Sequence, residues 1–431
     1  MPNLLLSYDD ANMRGDLAAT ERISPQDLHA AHAAVLNLHK DKEQGWLEIL
    51  DDKQYLTEID SLVKKFSKFK NCLVLGIGGS DLGSRAILAA MRDNGKKTKL
   101  WFAGDTTDPE EVSRVLDAMP WDKTCINVIS KSGGTLETMA AFFEARQRLI
   151  NKVGAKKAAE RIICTTDPEK SDLRDLAISK GYSLLSVPQN IGGRFSVLTA
   201  VGLFPLALAG INVKSLLKGA IATRDDWMNH QGTTHAIDRF AAWQVAHETR
   251  KKRNMHILFA YAACLGPMAN WWRQLWAESL GKAVRKNGHP NHFGPTPIVA
   301  IGPTDQHSQL QLYQDGPDDK IYTFLTSATS RSKMKVPVGA KSFGPMSNAA
   351  GRSFEQLLQA EAHGTINALL DVKRPLGVLD LKKINEESVG ALIVFLEIAT
   401  AIAGELYEIN AYDQPGVEAS KRRARELLTR Q

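Results

Sequence analysis

The sequence predicts an α/β fold: two doubly wound parallel sheets in three αβα layers, with helical additions at both ends. Two observations carry the prediction. Short apolar runs alternate with helical stretches, a rhythm that calls for parallel strands covered on both faces. That rhythm passes through two cycles, the second beginning after Gln189. A chain of 431 residues is also too long for one hydrophobic core.

Taken in order, the first forty-odd residues read as helices with a polar surface, among them the alanine-rich stretch 27–40, and make an extension, residues 1–45. In the first domain, 46–190, strands are expected at 72–75, 99–103, 124–129 and 161–164, with helices near 83–91, 110–119, 135–150 and 171–180. The second domain, 191–410, opens with helices at 196–208 and 237–249, a strand at 256–261 and a helix at 267–280. Strands at 297–301 and 320–325, a helix near 354–370, a strand at 376–379 and a long helix at 386–406 complete it. Residues 411–431 form a closing helical segment. Sheets of this kind bind ligands outside the carboxyl ends of their strands, so the loops after Leu75, Ile129 and Ile301 are where chemistry is expected.

Composition narrows the function. The chain has 54 Lys+Arg against 48 Asp+Glu, and a net charge of +6 is too small to indicate a nucleic acid or a membrane surface, though it suits a small anion. The basic ending KRRARELLTR reads as a solvated helical face. Cys72, Cys125, Cys164 and Cys264 form no CxxC pair, which argues against a disulfide framework or zinc ribbon and for the cytoplasm. The opening MPNLLLSYDD has no basic region, and the apolar stretch 197–211 is interrupted by Thr199, Gly202 and Pro205. Neither a signal peptide nor a membrane span is expected.

Two loops stand out. Gly76-Ile-Gly78-Gly79-Ser80-Asp81-Leu82-Gly83 follows a strand and opens a helix, where backbone N–H groups and the helix dipole attract phosphate. It departs from the dinucleotide fingerprint, with Asp81 where a third glycine belongs, and from the Walker A loop, with Ser84-Arg85 where Lys-Ser/Thr belongs. A tight turn that needs glycine only for packing accounts for it equally well. After the third strand comes Ser130-Lys131-Ser132-Gly133-Gly134-Thr135, three hydroxyls around a glycine pair at another helix start. Either hydroxyl group could be an ordinary N-cap, but two such turns at strand ends of one sheet favour a phosphate seat.

The segment SKSGGTLET resembles the phosphate-binding segment of sugar isomerase (SIS) domains. GGRFSVLTAVG at 192–202, ESLGK at 278–282, DQHS at 305–308 and QPGVEASK at 414–421 resemble, in order, the signatures of the glucose-6-phosphate isomerase family. The resemblance implies two SIS domains and reversible conversion of D-glucose 6-phosphate to D-fructose 6-phosphate in glycolysis and gluconeogenesis. Ring opening and a cis-enediolate intermediate would carry it, with no cofactor and no metal.

Such an isomerisation needs one carboxylate that removes a proton beside a carbonyl and returns it to the neighbouring carbon. Gln274 and Glu278, four apart, project from one helical face, while Trp272, Leu275 and Trp276 supply apolar packing of the kind that raises a carboxylate pKa. On spacing alone Glu278 and Lys282 are an i,i+4 ion pair; the resemblance makes Glu278 the catalytic base. It likewise makes Arg194 the cation that stabilises the enediolate, and His307 and Lys421 the pair that opens the sugar ring. Gly79, Ser80, Gln274 and Gln414 would line the sugar pocket. Ser130, Ser132 and Thr135 would hold the phosphate, with Glu137 nearby. Gly134 stands where many relatives carry threonine, so one hydroxyl contact to the phosphate is either missing or replaced by a backbone N–H.

The histidine of this family comes from the neighbouring subunit, so a homodimer with His307 contributed across the interface is implied. His289 and His292 invite a metal reading but lack a third ligand. The near alternative, a dual phosphoglucose/phosphomannose isomerase, is set back by chain length and by GGRFS and QPGVEASK. A non-catalytic SIS sugar-phosphate sensor would need the seat at 130–135 but not Glu278, His307 and Lys421 together. Asp81 argues against a nicotinamide dehydrogenase.

Overall fold

Ten strands, among the residues described, pair into two five-stranded sheets, and it is the order of pairing that creates a crevice. The computed structural model describes residues 5–9, 17, 21–91, 97–230 and 235–429. Much of the opening MPNLLLSYDD and the last residue of KRRARELLTR lie outside that set. In chain order the strands are β1 (Leu6–Asp9), β2 (Asn71–Leu75), β3 (Lys99–Ala103), β4 (Thr124–Ile129) and β5 (Ile162–Thr166). They continue with β6 (Ser183–Ser186), β7 (Met255–Ala260), β8 (Thr296–Ile301), β9 (Lys320–Ser327) and β10 (Leu376–Leu381).

The first sheet, in the order β3-β2-β4-β5-β6, is parallel throughout, with Leu73 opposite Trp101 on one side and Ile126 on the other. β2, β4 and β5 are buried along their whole length, as central strands covered by helices on both faces must be. The chain leaves β2 for β3 on one side, then crosses back to lay β4 on the other. The switch point therefore falls between β2 and β4, and the loops that follow these strands are the two singled out above.

The second sheet, β1-β10-β9-β7-β8, repeats the same winding, with its switch between β7 and β9. It differs at one edge. β1 pairs antiparallel with β10, Leu6 opposite Leu381, so the N-terminal stretch expected to be helical throughout contributes a strand to the second sheet. The helix Pro25–Lys40 does form, begun by Ser24, whose side chain accepts from Asp27 N–H. β6 and the helices Lys53–Phe66 and Val213–Met228 also lie outside the expected elements.

The helix Glu386–Leu406 is long and apolar enough to cross a membrane, but its side chains from Ser388 to Gly404 are buried inside the fold. It packs on Val213–Met228 and on Ala236–Lys251 and forms the spine of the largest hydrophobic cluster, which draws residues from both sheets.

Candidate active site

The helix Gly266–Leu280 turns Trp271, Trp272, Leu275 and Trp276 into the core, where Trp272 and Trp276 stack 5.9 Å apart. The opposite face carries Gln274 and Glu278, and Gln274 Nε2 donates to Glu278 Oε1 at 3.1 Å, one helical turn on. Glu278 keeps 30% of its side chain exposed, open to a ligand rather than enclosed by the tryptophans.

Arg194 reaches the same carboxylate from a different element. It sits in the short turn Gly193–Phe195, is only 3% exposed, and places Nη1 3.6 Å from Glu278 Oε2. Its Nε donates to Ser279 Oγ (2.7 Å), Nη1 to Gln414 Oε1 (3.1 Å), and Nη2 to the carbonyls of Ala411 and Asp413. Burial lowers its pKa and the Glu278 carboxylate opposes that shift, but a guanidinium stays charged regardless. A surface arginine on a turn is thereby ruled out: this one is a buried cation aimed between a carboxylate and Gln414.

Lys282 does not form the expected i,i+4 ion pair with the Glu278 side chain. The helix ends at Leu280, so Lys282 lies beyond it and turns Nζ back to the Glu278 carbonyl (2.5 Å) and to Asp413 O (2.6 Å). It ties the end of the helix to the segment that carries Gln414.

The loop after β2 packs directly against this cluster. Gly78–Ser80 form a single turn of 3₁₀ helix, and a Cβ on Gly79 would stand 2.3 Å from the carbonyl carbon and oxygen of Gly193 and 2.8 Å from Arg194 N. Only glycine allows that approach. Ser80 is half-buried beside it, and Asp81 is buried, paired with Arg85 at 2.6 Å. Burial pushes the Asp81 carboxyl up to about 6 against the pull of Arg85.

The loop after β4 has the shape of an anion seat. Ser130 Oγ accepts from Gly133 N–H (3.1 Å) and lies 3.1 Å from Thr135 Oγ1, while Ser132 Oγ accepts from Gly134 N–H. Gly133 has φ +74°, and a Cβ there would meet Leu173 N at 2.4 Å. Thr135 occupies the N-cap of the helix Leu136–Val153, yet its side chain makes no capping bond. That separates the seat from an ordinary cap: the first amides of the helix are not satisfied by Thr135. Glu137, half-buried, stands in the first turn.

His307 and Lys421 are not brought to the cluster. His307 ends the turn Thr304–His307 after β8, exposed, with the turn held by Asp305, which accepts from Ile301 N–H (2.6 Å) and Ser308 Oγ. Lys421 lies on the exposed helix Glu418–Thr429 and donates to Glu418 Oε1 at 2.9 Å. Among the described residues neither bonds to Glu278. His289 and His292 are both exposed.

The second sheet opens at its own switch point on a cavity of about 520 Å³ lined by Tyr261, Ser327 and Ser330 among others. Its lining hydroxyls Thr326, Ser327 and Thr329 already donate to Asp380 or to backbone carbonyls.

The family model described as phosphoglucose isomerase matches residues 51–431. This chain belongs to the phosphoglucose isomerase family. A glucose-6-phosphate isomerase from Carboxydothermus hydrogenoformans is 36% identical over 99% of this chain and 96% of its own. A crystal structure of a hypothetical protein from Thermus thermophilus superposes with a TM-score of 0.88 at 31% identity, covering 98% of this chain and all of the other. A glucose-6-phosphate isomerase from Chlamydia trachomatis shares the fold, with a TM-score of 0.77 at 24% identity over 88% of this chain and 74% of its own.

Phosphoglucose isomerase membership makes sense of the motifs, but several residues that build the cluster have no part in the site on the sequence reading. Ser279, Ala411 and Asp413 hold Arg194, and Lys282, by spacing only an ion-pair partner of Glu278, ties the helix end to Asp413. Lys131 Nζ donates to the carbonyls of Gln189 and Ile191 at 2.8 and 3.0 Å, joining the loop after β4 to the segment that leads from β6 into the Arg194 turn. Ser279 and Lys282 fall inside the ESLGK segment and are visible there; the carbonyls carry no side-chain signal.

Proposed function

We propose that this chain is a glucose-6-phosphate isomerase, interconverting D-glucose 6-phosphate and D-fructose 6-phosphate by proton transfer between C1 and C2. The observation that carries the reading is the meeting of a partly exposed carboxylate, Glu278, with a buried guanidinium, Arg194, at 3.6 Å beside a glycine turn. Glu278 is the base that shuttles the proton. Arg194 faces the enediolate oxygen charge as it develops, and because its position is fixed beforehand no reorganisation is needed during the reaction.

Ser130, Ser132 and Thr135, with the first amides of Leu136–Val153, take the phosphate. Gly79, Ser80, Gln274 and Gln414 line the sugar, with Glu137 nearby. His307 and Lys421 open the ring, His307 arriving from the second subunit of a homodimer. The exposure of both residues supports that arrangement, since within one subunit neither is shielded from water. Exposed apolar side chains at Val338, Phe343, Leu427 and Leu428 give a partner apolar surface to cover. We read residues 46–190 and 191–410 as the two SIS domains, with 1–45 and 411–431 appended, and place the enzyme in the cytoplasm, consistent with four free cysteines.

The test is a coupled assay for fructose 6-phosphate formed from glucose 6-phosphate, run beside mannose 6-phosphate. Turnover of the glucose ester alone is expected. Equal turnover of both would favour the dual-specificity alternative, and none of either would favour a sensor.

A further inference from the structure

Behind the candidate site lies a buried carboxylate that joins its two halves. Glu248, on the helix Ala236–Lys251, is 4% exposed. Its Oε1 accepts from Gly294 N–H at 2.7 Å, and its Oε2 accepts from the Tyr407 hydroxyl in a short bond. Gly294 packs on the end of the base-bearing helix, where a Cβ added to it would stand 3.5 Å from Gly281 Cα and 3.6 Å from Leu280 O. Tyr407 ends the helix Glu386–Leu406, four residues before Ala411, whose carbonyl holds Arg194.

A second connection runs through His256 on β7. Trp276 Nε1, two residues before Glu278, donates to His256 Nδ1 at 3.1 Å, so the proton of the neutral ring sits on Nε2. That nitrogen faces Glu248 Oε2 at 3.7 Å and has no hydrogen-bond partner among the described residues. Burial holds the ring neutral, with its pKa pushed down to about 3, so the contact is an N–H dipole toward a carboxylate and not an ion pair. Three lines therefore converge on one side chain: from the inner face of the base-bearing helix, from its end, and from the segment that grips Arg194.

We propose that Glu248 is a positioning residue that sets the spacing between Arg194 and Glu278, acting through Tyr407, Gly294 and the His256–Trp276 pair. The inference rests on the roles assigned above to Arg194 and Glu278. A buried carboxylate with oriented donors on both oxygens has one low-energy arrangement, because displacing either donor leaves an unsatisfied charge. The phosphate seat belongs to the other sheet and does not depend on it.

The experiment uses the full-length enzyme and two near-isosteric variants, Tyr407→Phe and Glu248→Gln, with kcat and KM for glucose 6-phosphate and Tm measured on the same samples. The expected result is a kcat lowered by about threefold or more per folded molecule, since small misplacements of reacting groups carry large rate costs. KM is expected to stay within about twofold, because the phosphate contacts persist. A kcat reduced by less than about threefold in both, whatever happens to Tm, overturns the proposal, as does a loss carried by KM alone. If Glu248→Gln does not fold, Tyr407→Phe decides. Glu278→Gln is assayed alongside: if it stays active the underlying reading fails, whereas an inactive Glu278→Gln with kcat kept in every folded variant of Glu248 and Tyr407 removes only the role of Glu248.

Discussion

Arg194 and Glu278 come from separate elements yet meet at 3.6 Å, and the guanidinium is at the same time bonded to Ser279, Gln414, Ala411 and Asp413. The cation is thus anchored by acceptors other than the carboxylate. In its proposed role as base, Glu278 can take and return a proton without carrying Arg194 with it.

Replacing Glu278 with Gln keeps the side-chain volume and its bond to Gln274 but removes the proton acceptor. Isomerisation is expected to fall by at least roughly 10²-fold, while sugar-phosphate binding persists. Coupled turnover together with an equilibrium titration of glucose 6-phosphate measures both; near-normal turnover would remove Glu278 from its role.

Arg194→Lys tests the fork. An ammonium offers three donors from one point and cannot span Ser279, Gln414 and two carbonyls arranged around a planar group. Loss of about 10²–10³ in kcat is expected. Each buried carbonyl left without its donor should cost about 1–3 kcal/mol in stability, read by denaturant titration.

At Gly79 a single methyl is enough. The 2.3 Å approach to the Gly193 carbonyl means that Gly79→Ala must push the β2 loop away from the Arg194 turn. The variant should fold, show lowered kcat and raised KM for hexose phosphates, and contrast with Gly154→Ala, where the added Cβ meets nothing within 4 Å although φ is +80°. That variant is expected to lose some stability and no activity.

The Asp81 carboxyl, raised to about 6 by burial, gives a signed pH effect. A carboxyl whose folded pKa lies above its ordinary value of 3.8 contributes stability that is fully present below that value and is lost as pH rises through about 6. The Tm of Asp81→Asn minus that of the parent should therefore increase between pH 4 and pH 7. A flat difference would show that Arg85 compensates the burial in full.

Because the enediolate charge is assigned to Arg194 and the proton to Glu278, chelation should not matter. Activity in EDTA is expected to match activity without it, and restoration by a divalent ion after a loss would overturn the mechanism.

Four of the five strands of the first sheet and the site loops are visible in the residue pattern, because central parallel strands such as Cys72–Leu75 are uninterrupted apolar runs and glycine pairs mark their ends. Two of the four edge strands, one in each sheet, are not. Leu6–Asp9 and Ser183–Ser186 are four residues each and mixed in polarity, and Leu6–Asp9 pairs with Leu376–Leu381, far away in sequence. In the site, spacing alone places Gln274 and Glu278 on one face, but it also suggests a Glu278–Lys282 pair that the helix end at Leu280 prevents. No local pattern reports that Arg194 bonds to carbonyls more than two hundred residues on.

The antiparallel strand at the edge of the second sheet has a kinetic meaning. Leu6 pairs with Leu381, so the earlier-made of the two segments must wait for the synthesis of the other. At about 5–20 residues per second that interval is roughly 20 to 75 s, long enough for the first sheet to form by itself. Until then Leu6–Asp9 is an unpaired strand and Leu376–Leu381 has yet to exist. Closure of the second sheet is thus a late, long-range event, and the nascent chain is most exposed to strand-swapping between neighbouring copies just before it.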